Sequence, residues 1–236
     1  MSAKKASRKR TAARQGATPA RGYHHGDLRS ALVAAASALL ERDGAEALSF
    51  RAGARAAGVS QAAPYNHFSG REELLATIAE QGFCALQAAQ AAAAERADPG
   101  LRRVISLGMD YIAFAIAHPQ LYRLMFGVGV ASWCAYPTVA AAKHGAFGPT
   151  RAALADYLGA GTPSATIDVA AHAGWALVHG LVMLRLDGSV AAGEGRDGLQ
   201  RESAALELFA ASLGGGLGGG LGAGPGGVAS AKTPHA

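Results

Sequence analysis

From Asp27 onward, apolar residues recur every three to four positions, and Gly, Pro and Asp cut that pattern into segments. Leu28, Leu32, Ala35, Ala36, Leu39 and Leu40 lay down a single apolar face. Asp27 is placed to cap that helix and Asp43-Gly44 to end it. Ser49 can cap a short helix from about Phe50 to Ala57, and Ser60 a second one from about Gln61 to Phe68, with Gly58-Val59 as the turn between them. Ser69-Gly70 breaks the chain again, and Arg71 starts a long helix to about Glu95. Further helices are expected at about 101–117, 119–127, 137–158, 163–187 and 197–213, where Pro119, Pro137 and Pro163 each fall where a first turn begins.

Half of the sequence is hydrophobic, but Ala and Leu carry most of that share, and aromatic residues are only 6%. That balance favours helix over strand. No segment demands a strand, so the expected class is all-α: a three-helix helix-turn-helix unit followed by a helical bundle, about nine helices in all.

The formal net charge of +5 is unevenly spread. Residues 1–22 carry +7 and no acid, whereas residues 23–83 carry −2. The basic character belongs to the N-terminal arm, which has almost no large apolar residue and is expected to be disordered alone. The Gly-rich stretch 214–236 is read the same way. The division expected is therefore an arm at 1–22, a helix-turn-helix domain at 23–70, a second helical domain at 71–213, and a tail at 214–236. The basic start leads into polar residues and not into an apolar leader, and no run of about 18 uninterrupted apolar residues appears. A cytoplasmic protein without membrane contact is expected.

The stretch Ser49–Phe68 carries the function. A turn as short as Gly58-Val59-Ser60 holds its flanking helices steeply crossed, and Gly58 suits a positive φ. The second helix of such a unit can enter the major groove, here with Gln61, Ala62 and Ala63 foremost. Gln can bond adenine N6–H and N7, and an Ala methyl can touch the thymine methyl. Tyr65, Asn66 and His67 form the next turn, suited to phosphate or base contacts. Arg71 can hold a phosphate at the start of the following helix. Ser49, Arg51 and Ser60 complete the set of expected DNA contacts. Pro64 removes one N–H and disfavours helical geometry at Ala63.

The segment around this stretch resembles the N-terminal domain of the tetracycline-repressor-like (TetR-like) regulators over about 60 residues. The resemblance rests on Leu28/Leu32, Gly44 with Leu48-Ser49, Gly58-Val59-Ser60, Tyr65-x-His67-Phe68 and Arg71-Glu72-x-Leu74. The C-terminal half resembles one branch of that family through His118-Pro119-x-Leu121-Tyr122-x-Leu124-Met125-Phe126 and Trp175-Ala176-Leu177-Val178-His179-Gly180. The resemblance implies a helical effector-binding domain, a two-fold dimer on a palindromic operator in double-stranded DNA, and repression. By position it implies that Ser49, Gln61, Ala62, Tyr65, His67 and Arg71 face DNA. A ligand-independent regulator and a helical interaction protein that binds no DNA remain the alternatives.

For the dimer surface, two stripes stand out: Ala170, Gly174, Leu177 and Leu181, and Leu199, Leu206, Leu208, Phe209 and Leu213. Two helices from each chain can make a four-helix interface. The same stripes can equally be intrachain core. Asp168, His172, Trp175, His179 and Leu186 share another helical face, as packed histidines, as part of a small-molecule pocket or as metal ligands. With Met109, Phe114, Phe126 and Trp133, Trp175 and His179 are the candidate lining of an effector cavity. The effector is a small molecule of unknown identity. Cys84 and Cys134 have no metal-ligand spacing and read as buried thiols, with a redox switch as the alternative. No nucleophile triad, carboxylate pair or phosphate loop stands out, so no enzyme, cofactor or metal is expected.

Overall fold

The computed structural model describes residues 25–127, 135–189 and 197–216. Among them are eight α-helices, one 3₁₀ turn and no strand. The helices are α1 (His25–Asp43), α2 (Phe50–Ala56), α3 (Arg71–Arg96), α4 (Leu101–Ala117), α5 (Pro119–Phe126), α6 (Pro137–Leu158), α7 (Ser164–Leu186) and α8 (Asp197–Gly216). The expected class is the observed one. The basic arm, Trp133, Cys134 and nearly all of the Gly-rich tail lie outside the described residues.

Local chemistry sets most helix ends. The Ser49 hydroxyl accepts from the Ala52 N–H at 3.2 Å and caps α2. The Glu73 carboxylate accepts from both the N–H and the hydroxyl of Ser69 at 2.7 Å, and these bonds hold its carboxyl below the usual range. Pro119 opens α5, whose orphan N–H groups at Gln120 and Leu121 donate to the Glu41 carboxylate of α1 at 3.2 and 3.1 Å.

Several expectations need correction. Helix α1 begins at His25, so Asp27 lies in its first turn and not ahead of it. The expected helix from Gln61 to Phe68 is a single 3₁₀ turn, Ala63–Asn66. Pro64 has no N–H to give, and the residue before it resists α-helical geometry. Ser60 does not cap with its side chain; its carbonyl accepts from the Ala63 N–H at 3.0 Å. Helix α8 continues to Gly216, three residues past its expected end, and Gly214 lies so close to the Tyr157 hydroxyl that a Cβ would sit 2.8 Å from it. Cys84 is exposed on α3.

One hydrophobic core runs from α1 through α3 and α5 into α4, α6 and α7, with Leu40, Phe83, Ile112, Tyr122 and Met125 fully buried. A smaller core at the far end joins Ala93, Leu107, Leu154, Ala171 and Ala210. Helix α3 packs most extensively on α6. Thr138 donates to Glu80 at 2.9 Å, and Gly145 abuts Gln87, so the two helices run parallel. The stripe Ala170, Gly174, Leu177 and Leu181 turns inward: Ala170 and Gly174 are buried, and a Cβ on Gly174 would meet Phe209 at 3.2 Å. The exposed apolar residues of this pair of helices are Val169 (70% exposed), Leu184 and Leu208 (75%), of which Leu208 belongs to the second expected stripe. By length and composition α7 can cross a membrane. Here it packs on α4, α6 and α8 and carries the Asp168–Arg151 ion pair.

Candidate nucleic-acid interface and interior cavity

The Gly58 turn takes φ +69°, where glycine has no steric penalty, and the Val59 N–H closes back onto the Ala54 carbonyl at 3.0 Å. Ala54, Ala63, Pro64 and Phe68 are buried beneath it. What that packing turns outward is one polar surface. Ser49, Arg51, Ser60, Gln61, Ala62, Tyr65 and Asn66 are exposed, and His67 is half-buried. Tyr65 is 66% exposed, with one ring edge set against Phe50 at 5.0 Å. Arg71 is placed differently. Its guanidinium Nε donates to the Leu48 carbonyl at 2.7 Å and a terminal nitrogen donates to the Ala45 carbonyl, tying α3 to the loop before α2. Arg55, one turn beyond Arg51 on the exposed side of α2, joins the surface. The i, i+4 spacing of the two arginines was the signal that could have found it.

A cavity of about 720 Å³ lies between α3, α4, α6, α7 and α8, with Phe126 of α5 also in its wall. Phe126 and Trp175 line it. Met109, Phe114 and His179 are not among the lining residues. On α4 the wall is made by Val104, Gly108 and Tyr111, whose spacing puts Met109 on the other side of the helix, and Phe114 packs on His118 beyond the wall. His179 stands one turn past Trp175, behind the wall. Asp168 and His172 reach the cavity, where Asp168 accepts from Arg151 Nε at 2.6 Å and the His172 ring lies 4.9 Å from that of Phe147, tilted by 52°.

Behind the wall runs a chain of hydrogen bonds. The Trp175 indole N–H donates to the Tyr111 hydroxyl at 3.2 Å, which lies 2.9 Å from the Tyr122 hydroxyl, itself 2.5 Å from His179 Nδ1. Burial, then the Lys143 charge, lowers the His179 pKa, so its neutral ring can accept from Tyr122. Burial pushes the Tyr111 hydroxyl up to about 12 and that of Tyr122 in the same direction, keeping both protonated as donors. Tyr111, Gln90 and Lys143 were not singled out in the sequence, and Tyr122 only as part of the His118–Phe126 motif, since nothing local marks them as neighbours.

Two family models match the chain: bacterial regulatory proteins of the tetR family over residues 32–78, and the tetracyclin repressor-like C-terminal domain over residues 104–211. The chain belongs to the TetR family. A solved protein of unknown function from Rhodococcus sp. RHA1 is 34% identical, with a TM-score of 0.68 over 80% of this chain and 98% of its own. A second Rhodococcus RHA1 protein, a bacterial regulatory protein in the tetR family, is 20% identical (TM-score 0.57; 79% and 97% covered). The TetR family transcriptional regulator PfmR from Thermus thermophilus is 21% identical (TM-score 0.53; 77% and 96% covered). The last two share the fold. No curated protein matches the chain. As a TetR-family member the chain is a DNA-binding transcription regulator. The family match at 32–78 contains the whole exposed surface from Ser49 to Asn66, and the match at 104–211 takes in most of the cavity wall.

Proposed function

We propose that this TetR-family chain is a homodimeric repressor, acting in the cytoplasm, that leaves a palindromic operator when a small molecule enters the cavity. The observation that carries this reading is the joint between surface and cavity. Tyr111 lines the cavity and is bonded to Tyr122 on α5, and the first N–H groups of α5 are held by Glu41 on α1. A ligand that rearranges the wall around Tyr111 and Trp175 thereby shifts α5 against α1, and with α1 the groove-reading surface. The ligand moves the balance only by its differential affinity for the two arrangements, about 1–3 kcal/mol. The exposed apolar residues Val169, Leu184 and Leu208 on α7 and α8 support pairing through those helices, which a palindromic site requires. On the DNA side, Gln61 and Ala62 meet base edges, while Ser49, Arg51, Arg55, Ser60, Tyr65, Asn66 and His67 fix register on phosphates and bases. Arg71 acts by holding the loop that presents Ser49.

The test is selection of duplex fragments from a random pool by the purified chain. The expected result is a palindrome with half-sites about one helical turn apart, or a deformed equivalent. Replacing Gln61 and Tyr65 together by Ala should weaken binding to it at least ~10-fold, since one good base contact is worth about 1–3 kcal/mol. Recovery of no enriched sequence, or unchanged binding by the double variant, refutes the reading.

A further inference from the structure

The cavity holds an unmatched set of groups. Gln90 is only 3% exposed and lines the cavity, and its Oε1 has no hydrogen-bond partner. A buried acceptor left in this state needs a donor from whatever fills the space. Lys143 and the imidazoles of His144 and His172 are exposed lining residues, and so mark the mouth. Arg151 is committed to Asp168 at 2.6 Å and to Ser164 at 2.9 Å. Lys143 has no acidic partner within 4.0 Å among the described residues, which leaves it as the cation available to a ligand. Between these polar points six aromatic rings, from Phe83, Tyr111, Phe126, Phe147, Trp175 and Phe209, share the wall with aliphatic side chains such as Leu86, Leu154 and Leu206.

We propose that the cavity selects a planar fused-ring aromatic acid bearing a hydroxyl or N–H at the far end from its carboxylate. The rings lie among the aromatic side chains, the carboxylate meets Lys143 at the mouth, and the donor reaches Gln90 Oε1. This rests on the reading of the cavity as the effector site and adds the chemistry of its occupant. The helix register gives the axial offset between the two residues. Thr138 is level with Glu80 and Gly145 with Gln87, so Gln90 is level with Gly148. Lys143 then sits five residues before that level, about 7.5 Å along the shared direction. A rigid ring system spans such a gap with little loss of rotamer freedom, whereas an acyl chain must be ordered bond by bond. The aromatic wall favours offset and edge contacts with rings. The cavity volume leaves room for more than two rings, so a naphthoate is the minimal probe that carries both groups.

The experiment is isothermal titration of the full chain with 6-hydroxy-2-naphthoate, 2-naphthoate, 2-naphthol and dodecanoate. The hydroxy acid should bind at least fivefold tighter than either single-group analogue, and tighter than dodecanoate. Gln90→Leu should erase the preference for the hydroxyl while keeping that for the carboxylate, and Lys143→Gln should do the reverse. Equal binding of the two acids, tighter binding of dodecanoate, no binding of any naphthoate, or selectivity that survives the matching substitution overturns the proposal. The four ligands on the unsubstituted chain decide it even if Gln90→Leu fails to fold. The same preparations are titrated with the selected DNA. A chain that binds DNA but lacks this selectivity loses the ligand class and remains a regulator. A chain with the selectivity that binds no DNA keeps the class and loses the regulatory reading.

Discussion

Between Ser49 and Phe68 the hydrogen bonds join residues a few positions apart, while Phe50 and Phe68 anchor the segment in the core. The Ser49 cap reaches Ala52, the Val59 N–H reaches Ala54, and the His67 and Phe68 N–H groups both reach Pro64. Around the cavity the contacts are long. Tyr122 meets His179 across 57 residues, Trp175 meets Tyr111 across 64, and the wall draws on six helices. A surface built from local contacts can vary its outward side chains without disturbing what holds it up. A cavity built from distant ones has wall residues that are also core residues, so its chemistry and its stability are entangled. That contrast predicts where substitutions destabilise the protein and where they only change what it binds.

The largest expected effect is at Glu202. This residue of α8 is 6% exposed and accepts from Arg185 of α7 at 2.6 Å. Glu202→Ala takes the buried carboxylate away from that guanidinium and should cost about 3 kcal/mol. Gln61→Ala, on the exposed groove surface, should change stability by less than about 0.5 kcal/mol while weakening DNA binding. Urea melts of the two variants measure the contrast. If Glu202→Ala proves as mild as Gln61→Ala, α7 and α8 are not held together by such contacts in the way argued here.

The same contrast explains what the sequence revealed. Helix positions followed from periodicity and punctuation: 101–117 and 137–158 were legible to the residue. The exposed surface at Ser49–Asn66 was legible because its spacing is its structure. The form of the recognition segment was not, since a single proline outweighed the helical pattern and left a 3₁₀ turn. The cavity was half legible. Phe126 and Trp175 were found as large apolar residues on facing helices, but Gln90 and Lys143 become partners only through the parallel register of α3 and α6. The inward stripe at Ala170 and Gly174 was ambiguous for a related reason. Small residues permit close approach of any helix, and only the packed Phe209 ring shows that it comes from the same chain.

A smaller effect is expected at Tyr122, which is fully buried. Tyr122→Phe keeps the ring and removes one hydroxyl, taking from Tyr111 and His179 the group that joins them in the chain of bonds. The cost should be about 1–2 kcal/mol in equilibrium unfolding. A neutral result would mean that this network is a by-product of packing the rings and does not fix the position of α5.

The smallest effect is a pH dependence at His179, and it sharpens the comparison because it belongs to the network behind the cavity wall. Burial and the Lys143 charge hold the His179 pKa below its ordinary value of 6.5. Well above 6.5 the ring is neutral in both folded and unfolded chains, so the folded arrangement keeps its full stability. As the pH falls from 6.5 toward the lower folded value, the unfolded chain takes up the proton first and the fold loses stability. Melts of the protein and of a His179→Gln variant between about pH 7.5 and 5.5 isolate this residue from the other histidines. The protein should lose stability relative to the variant on acidification, and Lys143→Gln should shrink the difference by removing the nearby positive charge. A protein that instead gains stability relative to the variant would have His179 protonated in the fold. Its Nδ1 would then donate to the Tyr122 hydroxyl and Tyr122 to Tyr111, while the Trp175 N–H would still donate to Tyr111.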